Sequence, residues 1–203
     1  LRSRHADLSG HEGLLGLEPP DGPVGGAEDV NRSAQGRLLH DDLTTLQREA
    51  NSRFGFSAKT TLSLAQALYE KHKVLTYPRT DSRALPEDYL KVAKDTMAML
   101  GSEDLPGPLR ELSKHAKKAV KEGYIKPVKR VFDNTKVSDH FAIIPTLQAP
   151  KALSEIEAKL YDMVVKRFLA VFFPPAEFMV TTRISTVKAA AQEHRFQTNG
   201  KVM

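Results

Sequence analysis

Five apolar residues, Ile156, Leu160, Val164, Phe168 and Phe172, recur every four positions, and Pro174-Pro175 then closes the run. A long helix with one buried stripe fits that spacing, and it has to stop before the prolines, which cannot continue it. Just beyond, Phe178, Val180, Thr182, Ile184 and Thr186 alternate, which is strand chemistry. No single regular element accommodates both periods. The chain must therefore join a helical body to a smaller β portion.

The pattern upstream agrees. Leu43, Leu46, Ala50 and Phe54 follow helical spacing, and Gly55 is a natural stop. Ser57 can cap a second helix that carries Leu64, Ala65, Leu68 and Tyr69 and ends near His72. Pro86 suits a first helical position, with Glu87 and Asp88 at the positive end, and Gly101 ends that helix. Leu109, Leu112, Ala116 and Val120 mark another helix, stopped by Gly123. Residues 123–150 read mostly as loop. Ser154 and Glu157 form a capping box at the start of the long helix. Arg195 to Thr198 reads as a second strand, and Asn199-Gly200 as a tight hairpin turn. On that reading the Phe178–Thr186 strand lacks a partner, and the C-terminus reads as part of a larger sheet.

Residues 1–41 differ in texture. They hold 7 of the 12 glycines and little apolar periodicity, so irregular or disordered chain is expected there. They carry 4 basic and 7 acidic residues, whereas 42–203 carry 26 and 18, a net +8. The basic balance of the body favours a polyanionic partner such as nucleic acid. The chain has no Cys, which excludes disulfides, thiolate metal sites and Cys nucleophiles. No run approaches the roughly 18 apolar residues of a membrane helix. The expected location is cytoplasmic, with the nucleoid.

Three segments carry chemistry. In Thr76-Tyr77-Pro78-Arg79-Thr80-Asp81-Ser82, a Tyr, an Arg and an Asp sit in a proline-stiffened connector between two helices. Such a connector can hold a nucleophile and its helper. It is also what an ordinary strand-to-helix joint looks like, with Tyr77 a half-buried aromatic and Asp81 or Ser82 a cap. In an extended segment Tyr77 and Arg79 point to the same side, a spacing that suits one phosphate. The second segment, Ser138-Asp139-His140-Phe141-Ala142-Ile143-Ile144-Pro145-Thr146, sets a His beside an apolar plug. The third is a basic run in which Lys114, Lys117, Lys118 and Lys121 share one helix face. That face is either a phosphate track or simply solvated.

Taken together, TTLQREANSRFGFS, LAQALYE, LTYPRTDSRALPED, DHFAIIPT and LYDMVVKRFLAVFFPPAEF resemble the active-site tyrosine domain of type IA DNA topoisomerases, most closely the bacterial topoisomerase III branch. The resemblance covers about residues 42–203. It implies a mainly α fold with a small β portion at the C-terminus, as a fragment of a multidomain α+β enzyme. Residues 42–176 would be the helical catalytic-tyrosine domain and 177–203 part of a β-rich arch. It implies that Tyr77 attacks single-stranded DNA to form a 5′-phosphotyrosine link, with Arg79 gripping phosphate oxygens and His140 donating beside the scissile phosphate. Asp81 and Asp139 would orient those two. The family's Mg2+ is held by an Asp-x-Asp pair and other acids in a separate domain, and this chain has no Asp-x-Asp. Partners implied are single-stranded DNA and the remaining domains of the enzyme. The expected function is transient cleavage and rejoining for strand passage, relaxation or decatenation, with the chain inactive when alone. The rival reading is a non-catalytic basic helical module that binds nucleic acid through Lys114 to Arg130.

Overall fold

A computed structural model describes residues 38–102, 105, 107–175, 178–189 and 192–202. The irregular chain expected over 1–41 lies almost wholly outside these. The described residues fall into a helical unit that runs to Pro175 and a hairpin that begins at Phe178.

The helical unit holds α1 (Leu43–Phe54), α2 (Ala58–Glu70), α3 (Leu90–Leu100), α4 (Pro108–Lys121) and α5 (Glu155–Phe172). Local chemistry sets their ends. Asp42 caps α1 through Thr45, and Gly55 stops it at a positive φ of 70°, where a side chain would be strained. Ser57 caps α2, and the capping box of Ser154 and Glu157 opens α5. A 3-10 turn at Glu87–Tyr89 precedes α3, so Pro86 stands just before the helix rather than in it.

Leu160, Val164, Phe168 and Phe172 are buried along α5, but Ile156 is 45% exposed. Each four-residue step overshoots a full turn by about 40°, so a strict period of four drifts off the core face. Val120 on α4 is likewise exposed at 46%. The stripe that α4 buries is Leu109, Ser113, Ala116 and Ala119, and its small side chains let α4 approach α3 and α5.

The packed unit starts before Asp42. His40 and Asp41 are buried. The His40 ring stacks on Phe168 with centroids 5.6 Å apart and touches Phe172 at 5.6 Å. Neither of its ring nitrogens has a hydrogen-bond partner among the described residues. Burial, with the nearby Arg130 and Arg167 cations, lowers its pKa to about 3. Asp41 is pushed up to about 6 by burial, against the pull of Arg167 at 3.6 Å. Arg167 also pairs with Glu49, tying α5 to α1.

The second unit is an antiparallel hairpin of β1 (Met179–Ala189) and β2 (Gln192–Val202), in register from Met179 opposite Val202 to Ala189 opposite Gln192. Two expectations are corrected here. The β1 strand has its partner within the chain, and Asn199-Gly200 is not a turn. Asn199 and Gly200 lie inside the ladder opposite Thr182 and Thr181, where Thr182 Oγ1 donates to Asn199 Oδ1 at 3.0 Å. An Asn-Gly pair turns a chain when the residues after it can pair back. Residues 179–189 offer 192–202 a partner of matching length, and the ladder they form runs straight through Asn199 and Gly200. Met179, Val187, Phe196 and Val202 remain exposed on one face of this hairpin.

Candidate active site around Tyr77

The segment 74–84 runs extended between α2 and the turn before α3, sandwiched by backbone from two distant parts of the chain. Thr76 N donates to Ile144 O at 3.0 Å, Thr146 N to Val74 O at 3.0 Å, and Ala142 N to Ala84 O at 3.0 Å. Leu43 N donates to Thr80 O at 2.9 Å, and Ile143 N donates to Asp41 O at 2.9 Å, which joins the two neighbouring segments to each other. Side chains complete the clasp. Thr76 Oγ1 donates to Ala142 O at 2.9 Å and accepts from Ile144 N at 2.9 Å. Thr80 Oγ1 donates to His140 O at 3.1 Å. The two motifs picked out in the sequence, about sixty residues apart, are thus bonded to one another directly.

The expected alternation is present. Thr76, Pro78, Thr80, Ser82 and Ala84 are buried, while Arg79, Asp81 and Arg83 are exposed and Tyr77 is half-buried. The inward set fixes the backbone, and the outward set presents functional groups.

The outward set meets one flank of α2. The Tyr77 ring stands edge-on to Tyr69 with centroids 5.4 Å apart. Its other neighbour is the exposed His140, at 4.1 Å between ring centroids and tilted by 37°. Arg79 reaches Gln66, whose amide oxygen, turned toward the guanidinium, accepts from Nη2 at 3.0 Å and Nε at 3.2 Å. Gln66 and Tyr69 are three residues apart on α2 and so share a face. Tyr77, Arg79 and His140 are therefore brought together. Asp81 and Asp139 are exposed, and neither makes a hydrogen bond or ion pair among the described residues. Arg83, the next outward residue, pairs with Asp42 at 2.7 Å, so the cap of α1 also braces this segment.

Gln66, Tyr69 and Lys73 were not legible as site residues from sequence. Gln66 and Tyr69 offered only a position on α2 beside Leu64, Ala65 and Leu68, and Lys73, in the connector after α2, offered none. Lys114, Lys117, Lys118 and Lys121 are exposed along α4. Among the described residues no group of three or more His, Asp or Glu side chains is placed to hold a metal ion. No described helix is long and apolar enough to cross a membrane.

Comparison with known proteins identifies the family. The family model for DNA topoisomerase matches residues 28–203. DNA topoisomerase 3 of Shouchella clausii is 44% identical over 162 residues, covering 79% of this chain and 21% of that protein. DNA topoisomerase 3 of Bacillus subtilis is 47% identical over 148 residues, covering 72% of this chain and 19% of that protein. The chain thus spans about a fifth of the length of the curated relatives it matches. Full-length topoisomerase I from Thermotoga maritima matches in structure with a TM-score of 0.50 at 25% identity, over 81% of this chain and 25% of that one. On these matches the chain belongs to the DNA topoisomerase family, among the type IA enzymes and in their bacterial topoisomerase III branch.

Proposed function

We propose that the protein cleaves and rejoins single-stranded DNA through Tyr77. The observation that carries this is the convergence of Tyr77, His140 and Arg79 on one face, with Gln66 holding the guanidinium. The phenol oxygen of Tyr77 attacks a backbone phosphorus. The bond from phosphorus to the 3′ oxygen breaks, and that oxygen leaves as a hydroxyl with a proton in place of the one the phenol gives up. The product is a 5′-phosphotyrosine. One phosphodiester replaces another, so resealing is the same step reversed and needs no ATP. Phenols ordinarily titrate near pH 10, so the attack depends on groups that stabilise charge at phosphorus. Gln66 occupies Nε and Nη2 of Arg79 and leaves the Nη1 edge for phosphate oxygens. The His140 imidazole, beside the Tyr77 ring, donates to the same phosphate. Asp81 and Asp139 stay outward as supporting groups. Lys114, Lys117, Lys118 and Lys121 guide the strand.

On this reading 42–176 is the tyrosine-bearing domain and 177–203 belongs to a β-rich arch. Mg2+ and further acidic residues come from domains of the whole enzyme, which works on nucleoid DNA in the cytoplasm. The chain alone is inactive, and relaxation of negatively supercoiled plasmid by it in magnesium buffer would refute that. The direct test is a chimera in which residues 42–175 replace the matching segment of the Bacillus subtilis enzyme. Incubated with a 3′-labelled oligonucleotide and quenched with detergent, the chimera yields a labelled protein band, and Tyr77→Phe removes it. A band that survives Tyr77→Phe places the nucleophile elsewhere.

A further inference from the structure

Lys73 stands out in the connector that leads into the tyrosine segment. Among the described residues it is the one residue other than glycine with a positive φ, at 59°. Glycine or asparagine adopts that conformation with less strain, so turning the chain does not explain a lysine here. Strained backbone of this kind is held where the surroundings over-determine it, and they do. Thr146 Oγ1 donates to Lys73 O at 2.6 Å, while Thr146 N donates to the next carbonyl, Val74 O, at 3.0 Å. Thr146 closes the segment that begins with His140, so the motif beside Tyr77 also sets the Lys73 backbone.

The side chain is aimed as well. Its Nζ lies 5.6 Å from the centroid of the Tyr69 ring, within reach of a cation–π attraction. Tyr69 in turn stands edge-on to Tyr77. No carboxylate pairs with Lys73 among the described residues, and the residue is exposed. A cation held over an aromatic ring, unneutralised and one ring away from the nucleophile, is poised for an anion that arrives with the substrate.

We propose that Lys73 is a positioning residue that binds a DNA phosphate flanking the scissile one, with Tyr69 and Thr146 fixing where its ammonium lies. This rests on the reading of Tyr77 given above. Arg79 and His140 serve the reacting phosphate, and Lys73 holds the strand on the Tyr69 side, so that the reacting phosphate stays in line with the phenol.

The test is binding of a fluorescent oligothymidylate to the full chain, followed by anisotropy across a salt series. Lys73→Asn keeps a residue that tolerates the backbone and removes the charge. The expected result is roughly threefold to tenfold weaker binding in low salt, and a salt slope smaller by about 0.7, the share of one single-strand phosphate contact. Thermal melting does not fall, since Asn suits the backbone at least as well, and Lys73→Arg restores both affinity and slope. Arg79→Gln is the companion variant. If Arg79→Gln weakens binding while Lys73→Asn changes neither affinity nor slope, the Lys73 proposal is overturned and the Tyr77 site stands. If the unaltered chain does not bind, or neither variant matters, the Lys73 proposal is overturned, and the Tyr77 reading stands or falls on the adduct assay above.

Discussion

Thr76 is the residue whose loss should most directly uncouple the two halves of the site. It is 8% exposed, and its hydroxyl is bonded at 2.9 Å both to Ala142 O and to Ile144 N, whose residues are fully buried. Thr76→Val keeps the shape and removes the hydroxyl. It leaves one buried carbonyl and one buried amide without that partner, each at about 1–3 kcal/mol. The new methyl returns less than about 1 kcal/mol of apolar burial. The expected net loss is about 2–4 kcal/mol by urea denaturation, or roughly 5–15 °C in melting temperature for a unit of this size. Thr76→Ser keeps both bonds and should cost about 1 kcal/mol for its missing methyl. Valine should therefore be the more damaging change, although it is closer in volume to threonine. In the chimera, Thr76→Val should also reduce phosphotyrosine formation although Tyr77 is intact, because the strand carrying Tyr77 is no longer pinned to the segment carrying His140. A Val variant within about 0.5 kcal/mol of the unaltered protein would show that the backbone bonds alone hold this register.

His40→Phe should change the acid response in a defined direction. An unfolded histidine takes a proton below about pH 6.5, whereas buried His40 takes it only near 3. Acidification through that window therefore favours unfolding. Asp41, raised to about 6, opposes this, because its folded carboxyl takes a proton before the unfolded one does. The two nearly cancel between pH 6 and 4, so this pair adds little to the acid response there, which falls to lowered carboxylates such as Asp42 and Glu157. Relative to the unaltered protein, and with pH 7 as reference, His40→Phe should gain about 3 kcal/mol by pH 4 in denaturant midpoints. Parallel curves would refute the assignment. Separately, changing Lys114, Lys118 and Lys121 together to Glu should weaken single-strand binding in low salt and flatten its salt dependence. Adduct yield at saturating DNA should hold, and loss of that yield would place the α4 face in the chemistry.

The helices were legible because their ends are marked by local chemistry: Asp42 with Thr45, Gly55, Ser57, and Ser154 with Glu157 each act within a few residues. The site was legible as two separate motifs and a predicted side for Tyr77 and Arg79. Three things were hidden. Which residues of α2 face Tyr77 depends on how α2 packs beside a segment joined to it through a left-handed residue, so Gln66 and Tyr69 could not be chosen from spacing. The burial of His40 and Asp41 depends on Phe168 and Phe172, well over a hundred positions away. The Asn199-Gly200 signal misled because turn propensity is local, whereas strand pairing is decided by the length of the partner available.

The pairing of Arg79 with Gln66 bears on how such a site can wait for its substrate. An arginine held by a carboxylate is well ordered, but the partner cancels the charge that a phosphate would feel, and binding must first displace it. A neutral amide orders the guanidinium through Nε and Nη2 and leaves its full charge in place. Asp81 and Asp139 carry negative charge nearby, yet neither is engaged with Arg79 or His140. Lys73 follows the same logic, held by a ring and a backbone bond instead of an acid. The cations around Tyr77 are thus ordered by neutral groups, and on the reading proposed above the anion they lack is the phosphate that DNA brings. A glutamate in place of Gln66 would hold Arg79 more tightly and serve the chemistry less well, because electrostatic stabilisation at phosphorus requires charge that is both placed in advance and not already spent.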